Sequence, residues 1–456
     1  MRRCSGVGLF MMLALSGRLS AQPLTIRQAV ESALRNYPSI QVSQEQISAA
    51  AAGIQLARTS YLPRVDALAQ ANRATRNNVL GLLLPQSVLP SMSGPVIGSN
   101  NFGTAWGSAI GVLVSWEPFD FGLRRANVAA AAATRSQAEA TLKRTQYDVA
   151  VAAADAYLTF AAAQETVRSA QAGVDRSEVI LRTITALVNA QLRPGADGSR
   201  AEAELAAART QLIQAQQATT VAQALVSQFV GGEPSQVAIA APKLLQLPPE
   251  ETVPPINPAA NPISVEQGAV IEQAKAQLRA LERSYFPRFY LQGSAYARGT
   301  GAETNGVLLG GLNGLAPSVQ NYALGLSVTF PALDLPAIQA REAAQAATVR
   351  AQTARYRQIA TDLRAQWNAA VARLDGARKV AANTPVQVRA AREATQQATA
   401  RYQSGLGNID AVAEAQRLLT QAEIDDALAR LSVWRSLLEI ATVAGDIHPF
   451  LSEASQ

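Results

Sequence analysis

Ser60-Tyr61-Leu62-Pro63-Arg64 returns as Ser284-Tyr285-Phe286-Pro287-Arg288, 224 residues further along the chain. Pro38 returns as Pro262 at the same offset. Beyond these, Trp116 matches Phe330, Asp120 matches Asp334, Asp148 matches Asp362 and Gly231 matches Gly445, all at an offset of 214. One length change of 10 residues therefore falls between Arg64 and Trp116, in a Gly/Pro-rich stretch. Two constant offsets separated by one such change mark an internal duplication. The first repeat is placed at 22–247, a Pro/Asn-rich linker at 248–262, the second repeat at 263–447 and a C-terminal tail at 448–456. A shorter match sets Arg193-Pro194-Gly195-Ala196-Asp197 against Leu406-Gly407-Asn408-Ile409-Asp410, at an offset of 213.

Each half reads helix, strand, loop, strand, long helix, turn, helix. Gln41–Ser60 and Ser264–Ser284 have helical patterns that end before Pro63 and Pro287, because proline disfavours a helical residue ahead of it. No Gly or Pro occurs from Leu123 to Ala172, or from Ala337 to Asp375, and helical patterns run on to about Asn189 and Ser404. Some 65 residues of helix would extend on the order of 100 Å. Gly173 and Pro385 interrupt these patterns and are expected to mark kinks or packing breaks.

The strands alternate. Trp106, Ser108, Ile110, Val112, Val114 and Trp116 share one face, and Tyr322, Leu324, Leu326, Val328 and Phe330 share the corresponding face of the second repeat. Ten residues at ~3.3 Å, tilted by ~40°, rise roughly 25 Å, the height of an outer-membrane apolar band. Trp106, Trp116, Tyr322 and Phe330 would then form the aromatic girdles. In the fainter strands Phe289, Leu291, Ala295 and Ala297 would face lipid, and Val65, Ala67, Ala69 and Ala71 repeat that phase. Tyr290, Gln292, Ser294, Tyr296 and Arg298 would face water. Four strands cannot close a membrane barrel, and eight fill their own interior, so a conducting barrel needs at least three chains and twelve strands. The loops Thr75–Gly103 and Gly299–Gln320 would be extracellular. The competing fold is a soluble two-layer α+β protein with four half-buried strands.

Composition agrees with long helices. Hydrophobic residues make up 48% but aromatics only 5%, and much of the apolar count is alanine, which suits closely spaced helices rather than a thick core. Met1-Arg2-Arg3, the apolar run Val7–Leu15 and Leu19-Ser20-Ala21 read as a signal peptide over 1–21, cut after Ala21. Its removal takes the formal charge of +6 down to about +3, with 37 basic against 34 acidic residues. That spread-out excess argues against a nucleic-acid partner. The single cysteine, Cys4, lies before the apolar run, so neither a disulfide nor a lipid anchor is expected. No later apolar stretch approaches the ~18 residues of a membrane helix.

The opening Leu24-Thr25-Ile26-Arg27-Gln28-Ala29-Val30, followed by Asn36-Tyr37-Pro38, resembles the outer membrane efflux protein family, typified by TolC. The resemblance also rests on Trp116-Glu117-Pro118-Phe119-Asp120-Phe121-Gly122. Its clearest part is Tyr402-Gln403-Ser404-Gly405-Leu406-Gly407-Asn408-Ile409-Asp410, leading into Ala415-Gln416. It implies a mostly helical homotrimer whose long coiled hairpins form a periplasmic α-barrel. Four transmembrane strands per chain would close a twelve-stranded β-barrel in outer-membrane lipid. It further implies a periplasmic adaptor that links the duct to an inner-membrane pump. The turns at Arg193–Asp197 and Gly405–Asp410 would form the periplasmic tip, with Gly405, Gly407, Pro194 and Gly195 gripped by the adaptor. The family's gate carries aspartates after the second turn; Asp410 matches the first, while Ala413 with Glu414 beside it stands where some members have another. Three Asp410 side chains at a constriction would make a cation-binding ring, and Asp197 is the second gate candidate. As helix caps, Asp410 and Asp197 would need no such role.

Support for catalysis is lacking. His448 is the only histidine and no cysteine is expected in the mature chain, so no metal site or cofactor is anticipated. Gly310-Gly311 lacks the Lys-Ser/Thr of a phosphate loop. Glu202-Ala203-Glu204 and Asp425-Asp426 are assigned to solvated helix faces, and Trp367 and Trp434 to packing. The expected function is a passive exit duct for small molecules; the alternatives are a type I secretion duct of the same architecture and a non-pore periplasmic coiled-coil scaffold.

Overall fold

The computed structural model describes residues 23–75, 102–250, 255–303, 305 and 307–455. The proposed signal peptide, Cys4 and nearly all of the first strand-connecting loop lie outside the described residues. The elements run α1 (Ile26–Asn36), α2 (Pro38–Thr59), β1 (Arg64–Thr75), β2 (Thr104–Phe119), α3 (Leu123–Asn189), α4 (Gly195–Val230), α5 (Pro262–Glu282), β3 (Arg288–Thr300), β4 (Val319–Thr329), α6 (Leu335–Gln403), α7 (Ile409–Ala444) and α8 (His448–Ala454). The long helices have 67 and 69 residues, and each is followed by one of 36. No described helix is long and apolar enough to cross a membrane.

Two compact units result, each drawing on both halves of the chain. One contains Val42–Lys143 and Ile263–Ala360; the other contains Arg144–Pro262, Thr361–Gln456 and the chain up to Gln41.

The first unit holds the sheet, antiparallel throughout in the order β1-β2-β3-β4. Its helices touch through short polar contacts, as small side chains allow: Thr141 donates to Glu266 at 2.8 Å, Gln273 to Thr134 at 3.2 Å and Gln345 to the Ala274 carbonyl at 3.0 Å. Asp120 caps the start of α3, accepting from the Gly122 and Arg124 N–H groups at 3.1 and 2.6 Å. Its carboxylate also takes the Arg124 Nε–H at 2.9 Å, with both side chains buried. Burial pushes the Asp120 carboxyl upward, but the Arg124 backbone and guanidinium and the Gly122 N–H outweigh it and hold it below the ordinary range. A carboxyl lowered on folding stabilises fully above its unfolded value of about 3.9, and that contribution is lost as pH falls through the folded value. Asp120→Asn should therefore cost about 3 kcal/mol at pH 7, because it strands a buried guanidinium. The gap to wild type in thermal unfolding should narrow toward pH 3, and a gap that stays constant with pH would exclude this account.

The second unit is built on two helical hairpins. Ala370, Leu374 and Ala381 of α6 meet Ala429, Val433 and Ile440 of α7, with the same spacing of four and then seven residues on both helices. That is the spacing of a coiled-coil seam. Ala156 and Phe160 of α3 pack on Ala222 and Val226 of α4. Thr25 and Gln28 form a reciprocal capping box that starts α1. The buried Tyr157 hydroxyl bonds the Leu24 and Ala240 carbonyls at 2.9 and 2.8 Å, tying the chain start to the segment after α4.

Several expectations change here. Both long helices run unbroken through Gly173 and Pro385. A Cβ at Gly173 would meet Thr420 Oγ1 at 3.0 Å, so this glycine permits close helix approach. The carboxylate pairs are not uniformly solvated: Asp426 is buried, accepting from Thr384 Oγ1 at 2.8 Å and from Arg430. Glu204 pairs with Arg200 at 3.1 Å and Arg417 at 3.6 Å. Residues 448–454 form a helix that buries Phe450, Leu451 and Ala454. Trp434 is fully buried and Trp367 packs on the α6–α7 seam.

Candidate functional site

Two regions carry functional geometry: the sheet faces and the hairpin turns. Residues paired directly across an antiparallel ladder share a face. Ala67, Val112, Ala295 and Tyr322 therefore form one row, flanked by Val65-Val114-Gly293-Leu324 and Ala69-Ile110-Ala297-Gln320. This face is apolar and uncovered, with Tyr322 88% and Leu324 77% exposed. The opposite face carries Asp66-Leu113-Ser294-Ala323, Leu68-Gly111-Tyr296-Asn321 and Gln70-Ala109-Arg298-Val319. Polar groups gather on that side. Apolar-out and polar-in is the alternation of a membrane barrel, and the phase is the one read from the sequence.

Trp116 lies opposite Leu291 and donates its indole N–H to the Tyr61 carbonyl at 3.1 Å. Trp106 lies under the Arg73 guanidinium, 5.7 Å from its ring centre. Tyr322 is in line with Val112, not with Trp106, and Phe330 follows the last residue of β4. Register rows run oblique to the axis of a tilted barrel, so residues equivalent in the repeat need not be level in register. An aromatic cluster the sequence reading did not assemble lies at the helix-side end: Phe121 stacks on Phe286 at 5.2 Å and meets Phe119 at 4.6 Å.

At the turns, the backbone of α3 closes with Leu192 N–H to Leu187 O at 2.9 Å, and that of α6 with Leu406 N–H to Arg401 O at 2.8 Å. Gln191 (φ 59°) and Gly405 (φ 79°) occupy the left-handed position in each turn. These equivalences give an offset of 214, not 213. Asp197 and Asp410 are therefore not equivalent: they are the third residue of α4 and the second of α7. Neither caps its helix through its side chain. Asn408 is the cap of α7, accepting from Ala411 N–H at 3.1 Å, and Pro194 begins α4 with no side-chain cap.

Instead, Asp197 accepts the Tyr402 hydroxyl at 2.8 Å. Tyr402 is buried with Ile184, Ala201, Ile409 and Val412, so one tyrosine of α6 fastens the two hairpins together. Arg193 lies 4.3 Å from the Tyr402 ring centre and donates to the Tyr402 carbonyl. Burial pushes the Tyr402 hydroxyl up to about 12; the hydrogen bond and charge of Asp197 add to this and Arg193 opposes it. The phenol keeps its proton at neutral pH. Asp410 is exposed and lies 3.6 Å from Arg200 Nε, while Arg417 bridges Glu204 at 3.6 Å and Glu414 at 3.1 Å. Gly405, Leu406 and Gly407 line a cavity of about 710 Å³ with Gln397, Arg401 and Asn408. Pro194 and Gly195 start α4 outside it. Tyr402 and Arg193 stood within the quoted motifs, but nothing local to either marks a partner some 200 residues away.

Comparison with known proteins follows the same lines. The solved outer-membrane channel OprN superposes with a TM-score of 0.70 at 20% identity, over 92% of this chain and 89% of its own. The Campylobacter jejuni CmeC outer membrane channel gives 0.74 at 15% identity, over 94% and 89%. The open state of the Neisseria gonorrhoeae MtrE outer membrane channel gives 0.68 at 19% identity, over 92% and 89%. Identities this low speak for the fold alone. Among curated proteins no match was found. The family described as Outer membrane efflux protein matches residues 29–232 and 265–446, most of both halves. With its strand phase and paired long hairpins, this chain belongs to the outer membrane efflux protein family, whose members are outer-membrane channels.

Proposed function

We propose that the chain is one of three identical subunits of a passive duct that carries small molecules from an inner-membrane pump and periplasmic adaptor to the exterior. The observation that carries the trimer is the pair of open sheet edges: among the described strands, β1 pairs only with β2 and β4 only with β3. An uncovered apolar face with two unpaired edges cannot persist in lipid, where every backbone group must be satisfied. Pairing β4 of one copy with β1 of the next removes all edges in a closed ring, and three copies, giving twelve strands, are the fewest that leave an open lumen. A non-pore scaffold would have no use for that face, and the efflux family match favours small-molecule cargo over secreted polypeptide. Mass and shape in detergent test the reading: particles of three chains from the outer-membrane fraction support it, and a soluble periplasmic monomer sinks it.

At the tip, the groove beside Gly405 and Gly407 is the proposed adaptor seat, with Pro194 and Gly195 on the neighbouring turn. The Tyr402–Asp197 bond is proposed to hold the two hairpins in a latched state. Three Asp410 carboxylates would ring the constriction, each partly offset by Arg200. Asp410→Ala should weaken block by divalent cations in planar-bilayer recordings about tenfold, since a ring site loses three charges at once. Unchanged block and conductance would remove Asp410 from the gate.

A further inference from the structure

We propose that a cavity at the helix-side end of the β2–β3 pair binds the phosphate headgroup of an anionic phospholipid in the periplasmic leaflet. The cavity, of about 590 Å³, is lined by Phe121 just before α3, by Arg125 and Ala126 in its first turn, by Arg279 and Glu282 at the end of α5 and by Arg283 directly after it. Arg279 and Arg283 are four residues apart and present neighbouring side chains. Three arginines thus line one space with a single glutamate, and the Arg283 guanidinium lies 5.9 Å from the Phe286 ring centre. Among the described residues none of the three arginines forms an ion pair, whereas Arg135 and Arg144 further along α3 pair with Glu139 and Asp148. Guanidinium matches a phosphate's oxygens in a planar, charge-assisted fork.

The second observation separates a lipid from a free anion. Phe121, in the cavity wall, contacts Phe286 at 5.2 Å and Phe289 at 6.3 Å. Phe289 lies two residues before Leu291 on β3, on the face that Leu291 shares with Trp116. The cationic cavity is therefore continuous with the apolar outer face of the sheet. An occupant that satisfies both has an anionic head and a hydrocarbon tail. This end of the sheet leads into the helices, so the site lies at the periplasmic leaflet; that placement rests on the duct reading.

The test uses the full chain reconstituted in nanodiscs of phosphatidylcholine doped with phosphatidylglycerol, with retained lipids counted by native mass spectrometry. Wild type should retain phosphatidylglycerol over phosphatidylcholine. Arg125→Gln/Arg279→Gln/Arg283→Gln should lose that preference roughly tenfold, and the triple lysine variant should keep much of it. The distant Arg135→Gln should change nothing. Equal retention of the two lipids by wild type, or undiminished preference in the glutamine variant, overturns the site while leaving the duct intact. Complete displacement by inorganic phosphate overturns the lipid in favour of a free anion. A protein that does not enter the discs overturns the duct reading and this site with it.

Discussion

Tyr402→Phe combined with Arg193→Ala should raise single-channel conductance in planar bilayers several-fold while lowering the stability of each subunit by only about 2 kcal/mol. The hydroxyl removed is a donor to a carboxylate, and hydrogen bonds to charged groups contribute about 1.5–3 kcal/mol. Asp197 and Arg193 keep some access to water, so the low end of that range applies. A bias of about 1.4 kcal/mol changes a two-state population tenfold, and a ring of three latches multiplies the effect. Arg193 adds a cation–π contact and a bond to the Tyr402 carbonyl, so the double variant loosens the same point twice. Because the Tyr402 phenol is pushed up to about 12, its donation should persist across neutral pH and the wild-type latch should not respond to mild alkali. Conductance unchanged in the double variant would show that Tyr402 only packs the tip.

Trp434→Ala should be the most destabilising single change in the α6–α7 hairpin, costing about 3–5 kcal/mol for the cavity. A further ~1 kcal/mol or more follows from leaving a buried carbonyl without its donor. Trp434 is fully buried, donates Nε1–H to the Gln246 carbonyl at 2.9 Å and meets Phe450 edge-on at 6.3 Å. It thus holds both the segment after α4, at the end of the first repeat, and the C-terminal helix α8. Limited proteolysis should cut near Gln246 and near residue 448 first in the variant, ahead of global unfolding. Trp434→Phe, which retains most of the apolar volume, should lose only the hydrogen-bond part. Trp434→Ala within about 1 kcal/mol of wild type would refute the packing account.

What could be read from the sequence was whatever depends on local period. Alternation in Trp106–Trp116 and Tyr322–Phe330 gave the sheet faces, because side-chain direction in a strand has a period of two whatever the partners. The helical patterns, read on past Gly173 and Pro385 to about Asn189 and Ser404, gave the long helices nearly to their last residues. The turn register was wrong by one because the match of Asp197 to Asp410 rested on residue identity. The backbone instead equates Gln191 with Gly405, and a glutamine in a left-handed conformation leaves no mark in the sequence. Asp426 and Glu204 looked solvated because their partners come from other helices or from the next turn. Pro385 looked disruptive because its cost is local, whereas the seam that outweighs it is made with α7. Tyr402 stood in a quoted motif, yet its partner Asp197 is 205 residues away in the chain.

The central ladder of the sheet also constrains the order of assembly. β2 and β3 pair residues 170 to 193 positions apart, from Phe119–Phe289 to Gly107–Thr300. The hairpins α3–α4 and α6–α7 close within neighbouring sequence and can form as soon as they are made. The β1–β2 pair, by contrast, must wait for the second half of the chain to arrive before its inner edge is covered. Non-local strand pairing of this kind is slow and leaves apolar surface open to aggregation in the meantime. Passage through an aqueous compartment should therefore demand a holding factor that grips the waiting strands, and the dwell time on that factor should lengthen with any insertion between the two halves.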